Sequence, residues 1–212
     1  PSWSVDGSRI VFAKGTTKAL DSRIWIMNSD GSDERKLTNR VGDNPNWAHY
    51  SNKIVYSSWH DGLWVINADG TGETQVCDWT WASSPSWSPD DQKIIFCRGF
   101  GPIFIMDSNG DNLHRVSTRS GQHPVMGVDG RIMFSGKNDS IFVLDTTSGI
   151  ESLVSVGTKS PDWCPGIITL PYPPGTFFSG VGLIPISEIH DGYATTKKGY
   201  YLEVENSPFG NK

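Results

Sequence analysis

Cysteine is scarce in this chain. There are three among 212 residues, Cys77, Cys97 and Cys164, and none shows the CxxC spacing of a thiolate metal site. An odd count leaves at least one free thiol in any monomer. The cysteines read as small apolar side chains within strands, with a Cys77–Cys97 bridge as the alternative. Long hydrophobic runs are missing too, so no membrane-spanning helix is expected. Charge of one sign is not concentrated anywhere and the net charge is -5, which gives no basic face for nucleic acid. The five histidines, at 49, 60, 114, 123 and 190, include no i, i+4 pair with an intervening Glu. No GxSxG elbow, P-loop or complete GxGxxG occurs. No catalytic residue, metal or cofactor is therefore expected.

What is present indicates a folded β protein. Apolar residues make up 36% of the chain and there are nine tryptophans, which argues against disorder. The 23 glycines and 13 prolines stand at intervals and mark turns. The length suits one substantial domain. The first residue is Pro1, not Met, and no signal-peptide pattern follows. A processed protein or a piece of a longer one is expected, and the sequence does not give its compartment.

The stretch Pro85 to Gly110, PSWSPDDQKIIFCRGFGPIFIMDSNG, carries the organising pattern. Turn residues at Ser88-Pro89-Asp90-Asp91 and Asp107-Ser108-Asn109-Gly110 bound the apolar runs Ile94-Ile95-Phe96 and Ile103-Phe104-Ile105-Met106, which read as strands. The pattern recurs. Pro-x-Trp opens at Pro1, Pro45, Pro85 and Pro161, with a weaker Pro124-Val125-Met126, at spacings of 44, 40, 39 and 37. A period near 40 with about four strands per unit predicts propeller blades. Second strands are expected at Ile10-Val11-Phe12, Ile54-Val55-Tyr56, Ile94-Ile95-Phe96 and Ile132-Met133-Phe134. Third strands are expected at Ile24 to Met27, Leu63 to Ile66, Ile103 to Met106 and Ile141 to Leu144. The fourth strands are more polar, as suits a solvent-facing edge. The Asn28-Ser29-Asp30-Gly31 type of turn lacks the alternating acidic ligands and final Glu of a calcium loop and reads as a hairpin.

The run PSWSPDDQKIIF…IFIMDSNGDNLHRVS resembles the TolB-type, WD-like β-propeller repeat. The resemblance spans four units, Pro1 to Ser160, and the opening of a fifth at Pro161-Asp162-Trp163. Met126 departs from the pattern where Trp is usual, and Asp91 stands where the first unit has Gly7. The expected fold is all-β: a propeller of four-stranded antiparallel blades, four clear and a fifth partial or degenerate, with a fragment of a larger propeller as the alternative. Residues 1–164 hold the repeats, with blades starting near 1, 45, 85, 124 and 161. Residues 165–212 form a degenerate last blade or an extension, with strands expected within Phe177 to Ile186 and Tyr200 to Glu205 and a turn or link at Pro171 to Gly175. The resemblance implies a periplasmic or extracellular interaction module.

In such a blade the link between strands two and three and the link to the next blade share one rim. Those loops vary here, and function concentrates on variable loops held by a rigid scaffold. Trp59, His60, Asp61, Trp79, Trp81, Arg98 and Phe100 are the candidate binding residues, with the composition of a protein or glycan contact patch. The plainer alternative is that the tryptophans plug gaps between blades. Alanine at Trp79 and Trp81 is expected to leave the fold intact and weaken a partner interaction. His60-Asp61 is a weak acid–base candidate, and Asn138-Asp139-Ser140 fits a glycosylation acceptor. The expected function is a non-catalytic protein-interaction scaffold. The alternatives are a glycan-binding or polysaccharide-processing propeller, or the propeller part of a prolyl-oligopeptidase-type enzyme. The expected partner is another protein, with a glycan second and no nucleic acid. Self-assembly through the tail is a further route.

Overall fold

Four antiparallel sheets of four strands each follow one another along the chain. The computed structural model describes residues 1–15 and 21–156, and beyond these only four strands between 176 and 203. Blade 1 is β1 (Ser2–Trp3), β2 (Arg9–Lys14), β3 (Arg23–Asn28) and β4 (Arg35–Lys36). Blade 2 is β5 (Asp43–Trp47), β6 (Lys53–Ser58), β7 (Gly62–Asn67) and β8 (Thr74–Cys77). Blade 3 is β9 (Ala82–Trp87), β10 (Lys93–Arg98), β11 (Pro102–Asp107) and β12 (His114–Ser120). Blade 4 is β13 (Gln122–Met126), β14 (Ile132–Ser135), β15 (Ser140–Leu144) and β16 (Glu151–Val156). Strands pair in sequence order within every blade, and the described residues contain no helix. A separate unit, Cys164–Lys212, contains β17 (Thr176–Ser179), β18 (Gly182–His190), β19 (Tyr193–Thr196) and β20 (Tyr201–Glu203), paired antiparallel in that order. Pro161-Asp162-Trp163, Cys164 and Pro171 to Gly175 lie outside the described residues.

Each element of the repeat motif has a bonding role. In the turn after β1, the Ser4 hydroxyl donates to Asp6 Oδ1 at 2.6 Å and accepts from Arg9 N at 2.9 Å. Asp6 also accepts from Ser8 N at 3.0 Å. These donors, the Ser4 hydroxyl foremost, hold the Asp6 carboxyl down at about 2. Ser88 and Asp90 repeat the arrangement in blade 3, at 2.5 Å.

The middle residue of Pro-x-Trp ties neighbouring blades together. Ser2 Oγ accepts from Trp47 N at 3.0 Å and Asn46 Oδ1 accepts from Trp87 N at 3.0 Å. Ser86 Oγ donates to the Pro124 carbonyl at 2.6 Å. The strap passes from blade 1 to 2, 2 to 3 and 3 to 4.

Blade 2 lacks the serine–aspartate pair, having Ala48 and Tyr50 in those places. Asp91 of blade 3 compensates. Its carboxylate accepts from His49 N at 2.6 Å, Tyr50 N at 2.8 Å and Ser51 N at 2.8 Å, and from the Ser51 hydroxyl at 3.1 Å. Asp91 takes φ of +58°, as Gly7 takes +67° at the same turn position in blade 1. The substitution at this position is thus an inter-blade lock.

Cores lie between consecutive blades. One side of each central strand pair faces back along the chain and the other faces forward. Val11, Ile24 and Ile26 of blade 1 meet Ile54, Tyr56 and Ile66 of blade 2. Val55, Leu63 and Val65 then meet Ile94, Phe96 and Met106 of blade 3. Ile95, Ile103 and Ile105 meet Ile132, Phe134 and Leu144 of blade 4. Each fully buried aliphatic or aromatic side chain contributes about 1.5–3 kcal/mol, so a blade depends on its neighbours for stability.

Cys77 and Cys97 are both free and buried, so the Cys77–Cys97 bridge is not formed. Cys77 lies opposite Leu63 of the third strand, where blades 1 and 3 have Thr38 and Ser117 opposite Ile24 and Ile103. There Thr38 Oγ1 accepts from Ile24 N at 3.2 Å and Ser117 Oγ from Ile103 N at 2.8 Å. Cys77 is a small residue in a small residue's place.

The links into blades 2 and 4 pass close to an aromatic ring at Gly42 and Gly121. A Cβ at Gly121 would lie 2.2 Å from the Phe134 ring, and one at Gly42 would lie 2.7 Å from Tyr56. Gly121→Val is expected to destabilise the protein by about 1–3 kcal/mol through overpacking. A urea midpoint unchanged by the substitution would contradict this contact.

Candidate functional site

Three loops meet on the rim of blades 2 and 3. They are the β6–β7 turn at Trp59-His60-Asp61, the β8–β9 link at Asp78 to Trp81, and the β10–β11 turn at Gly99 to Gly101. Backbone hydrogen bonds stitch them together. Trp81 N donates to Trp59 O at 3.2 Å, and Gly99 N donates to Trp81 O at 2.7 Å. Arg98 Nε donates to Thr80 O at 3.3 Å. Three segments far apart in sequence thereby hold one surface.

The candidate residues divide into two groups on this surface. Trp59 and Trp81 are partly exposed, at 37% and 53%, and pack edge to face with ring centroids 5.6 Å apart. Phe100 is 80% exposed at the tip of its turn. Trp79 turns inward instead. Its ring meets Phe104 at 5.1 Å and Phe96 at 6.4 Å, both edge-on, and the Arg98 guanidinium lies 5.2 Å from its ring centre. Trp79 therefore fills a gap between blades, and alanine there removes core packing.

The other links show why position 79 is structural. Counting on from Thr38, Cys77 and Ser117, the second residue is Arg40, Trp79 and Arg119. Each lies on an aromatic residue in the third strand of the following blade. Arg40 is 3.5 Å from the Trp64 ring centre and Arg119 is 4.8 Å from that of Phe142. Each arginine also meets a glutamate at the start of the outer strand. Arg119 Nε is 3.3 Å from Glu151 and Arg40 Nε is 3.9 Å from Glu73. In blade 3 the glutamate position is Leu113, which packs on the same core as Trp79. An arginine–glutamate pair at two junctions is replaced at the third by a tryptophan–leucine pair.

Asp61 and His60 do not form an acid–base pair. The Asp61 carboxylate is bonded by Arg40 Nη1 at 2.8 Å, and no hydrogen bond joins it to His60 among the described residues. The Tyr56 hydroxyl donates to Glu73 beneath this cluster. Burial and the neighbouring carboxylate push the Tyr56 hydroxyl well above the usual phenol range, so it remains a donor. No group of three or more metal-ligating side chains occurs among the described residues.

The length of one link also sets this rim apart. The link from Cys77 to Pro85 is one residue longer than those from Thr38 to Pro45 and from Ser117 to Pro124. Trp81 lies within the longer link and adopts φ of +69°. A bulky residue in the left-handed region is an outlier that costs of order 1–3 kcal/mol and tends to persist where function needs it.

No protein-family model matches the chain, and no curated protein matches it. Solved structures do. TolB from Acinetobacter baumannii aligns over 93% of this chain and 53% of its own, with a TM-score of 0.63 and 16% identity. The chain has a TolB-like β-propeller fold. A chain of a nidogen–laminin complex aligns over 93% of this chain and 71% of its own, with a TM-score of 0.61 and 12% identity. An oligogalacturonate lyase in complex with manganese aligns over 73% and 52%, with a TM-score of 0.57 and 15% identity. At these identities the likeness establishes the fold alone. The chain spans about half the length of the TolB and lyase chains it matches. In this TolB-like propeller the described residues contain no helix long and apolar enough to cross a membrane.

Proposed function

We propose that this TolB-like propeller is a non-catalytic interaction scaffold that binds a partner protein through the rim formed by blades 2 and 3. The observation that carries this reading is Trp81: partly exposed, edge-on to Trp59, and held in a strained backbone conformation by a hydrogen bond donated to Trp59 O and one accepted from Gly99 N. Exposed aromatics on a rigid platform give large contact area at low entropic cost, and tryptophan is prominent among interface hot spots. Phe100 extends the patch, while His60 and Arg98 give it a polar border. Trp79 and Asp61 support it from beneath and beside, through Phe104 and Arg40. The favoured setting is periplasmic or extracellular, and residues 165–212 are read as a degenerate last blade or extension.

The test is comparative capture. Immobilised wild-type protein and the Trp59→Ala/Trp81→Ala variant would be exposed to extract from the native source, and bound material identified. The variant should keep the wild-type melting temperature and lose a protein partner by tenfold or more in affinity. Equal capture by both forms would sink the reading. Loss of a carbohydrate ligand instead would favour a glycan-binding rim, since an exposed tryptophan pair also stacks on sugar rings.

A further inference from the structure

Blade 2 carries a second surface feature, at the end of its strands away from Trp59. A cavity of about 280 Å³ opens between the β5–β6 turn, the β7–β8 turn and the start of β2 in blade 1. Arg9, Asn52 and Lys53 line it, with Ser51, Asn67 and Asp69. All of these residues belong to blades 1 and 2.

The two cations here differ from their counterparts in the repeat. Each of the four blades has a basic residue at or just before the start of its second strand: Arg9, Lys53, Lys93 and Arg131. Lys93 Nζ bonds to Asp107 at 2.9 Å, and Arg131 Nη2 bonds to Asp129 at 2.7 Å. Asp107 is also the residue paired with Lys93 across the hairpin, whereas those paired with Arg9 and Lys53 are Asn28 and Asn67. An amide cannot neutralise a cation, and both amides bond within their own turns, to Ser32 and Thr71. Arg9 and Lys53 form no ion pair among the described residues. Asp6 acts on Arg9 electrostatically, but its carboxylate is engaged by Ser4 and Ser8.

The cavity lining separates into engaged and available groups. Ser51 Oγ donates to Asp91 at 3.1 Å. Asp69 accepts from Thr71 N at 2.8 Å and from Thr71 Oγ1 at 2.7 Å. Arg35, which donates to the Ala68 carbonyl, offsets part of the Asp69 charge. The Arg9 guanidinium, the Lys53 ammonium and the Asn52 side-chain amide make no hydrogen bond among the described residues. Arg9 is nevertheless held in place, because its guanidinium lies 5.2 Å from the ring centre of the buried Trp47. That contact uses the flat face of the guanidinium and leaves its N–H edge for a planar acceptor. Two cations and an amide donor around one cavity match a carboxylate, which a guanidinium can bind through two parallel N–H···O bonds. Asp69 at the border disfavours a doubly charged group such as phosphate. The volume is just under the roughly 300–1,000 Å³ of small-molecule pockets, so it suits a group the size of one amino acid.

We propose that this cavity binds the carboxylate of an acidic segment of a partner protein, with Arg9 and Lys53 as counter-charges and Asn52 as a further donor. The site lies at the opposite end of blade 2 from the aromatic rim and does not depend on it.

Fluorescence anisotropy on the full chain, at fixed ionic strength, tests this. The probes are a rhodamine-labelled Gly-Glu-Gly-Glu-Gly peptide with an amidated C-terminus and its glutamine counterpart. The net charge of -5 repels an acidic probe in general, so binding reports a local site. The wild type should prefer the glutamate peptide by about tenfold or more, and Lys53→Gln and Arg9→Gln should each remove about tenfold in affinity. Lys36→Gln, which removes the same charge from the outer strand of blade 1, should leave binding unchanged. Lys53 is solvent-exposed, so its variant carries the test if melting curves show that Arg9→Gln does not fold. The Trp59→Ala/Trp81→Ala variant should bind the peptide as the wild type does, so this site and the rim stand or fall separately. Equal affinity for the two peptides overturns the proposal, as does an equal loss in Lys36→Gln and Lys53→Gln. Displacement of the peptide by inorganic phosphate at lower concentration than by acetate overturns it as well.

Discussion

Trp79→Ala should lower the unfolding free energy by about 3 kcal/mol, at the lower end of what loss of a core aromatic costs. The ring is partly buried, not fully, but it meets both Phe96 and Phe104 and has the Arg98 guanidinium over it. Urea denaturation with matched slopes is the measurement. Trp81→Ala, two residues away, should change stability by no more than about 0.5 kcal/mol. Trp81→Gly should be neutral or slightly stabilising, because glycine adopts φ of +69° without steric cost. Equal losses at 79 and 81 would contradict the division between a buried plug and an exposed contact residue.

Asp91→Ala should cost about 2–3 kcal/mol, the range expected when hydrogen bonds to a charged acceptor are lost and their donors are left behind. Three backbone amides of the blade 2 turn depend on this carboxylate. Asp91→Gly should be nearly as damaging even though it relaxes the backbone, which separates the lock from the turn geometry. Burial opposes ionisation of Asp91, but the amides of His49, Tyr50 and Ser51 outweigh it and hold the carboxyl below the usual range. Its stabilising effect is therefore complete above the unfolded value of about 3.9 and is lost as pH falls through the lower folded value. Asp91→Asn should weaken the protein at pH 7 and flatten this part of the acid profile. An identical acid profile in wild type and Asp91→Asn would show that the carboxylate does not hold the turn.

The blade architecture was legible because it is written in local chemistry. Turn residues bounding runs such as Ile94-Ile95-Phe96 specify hairpins, and apolar side chains on both faces of those runs require neighbours on both sides. The roles within the motif were not legible. Nothing in Pro-Asn-Trp says that Asn46 bonds to the next blade, because the partner is a backbone amide 41 residues away. The rim was legible as a location, from the variable loops, but not in its detail. Trp79 and Trp81 look alike in sequence. Their difference emerges only when Trp79 is set against Arg40 and Arg119, and that equivalence depends on which outer-strand residue lies opposite Ile24, Leu63 and Ile103. Asp61 looked like a partner for His60 because they are adjacent, whereas Arg40, distant in sequence, is the group that bonds it.

The exchange of arginine–glutamate for tryptophan–leucine means that the blades are not interchangeable cassettes. Transplanting blade 3 to follow blade 1 would set the Arg40 guanidinium against Leu113. Placing blade 4 after blade 2 would press the Trp79 indole onto the Glu151 carboxylate. The order of the modules is thus encoded at their seams, and any history of duplication or shuffling in this chain must have changed both sides of a seam together.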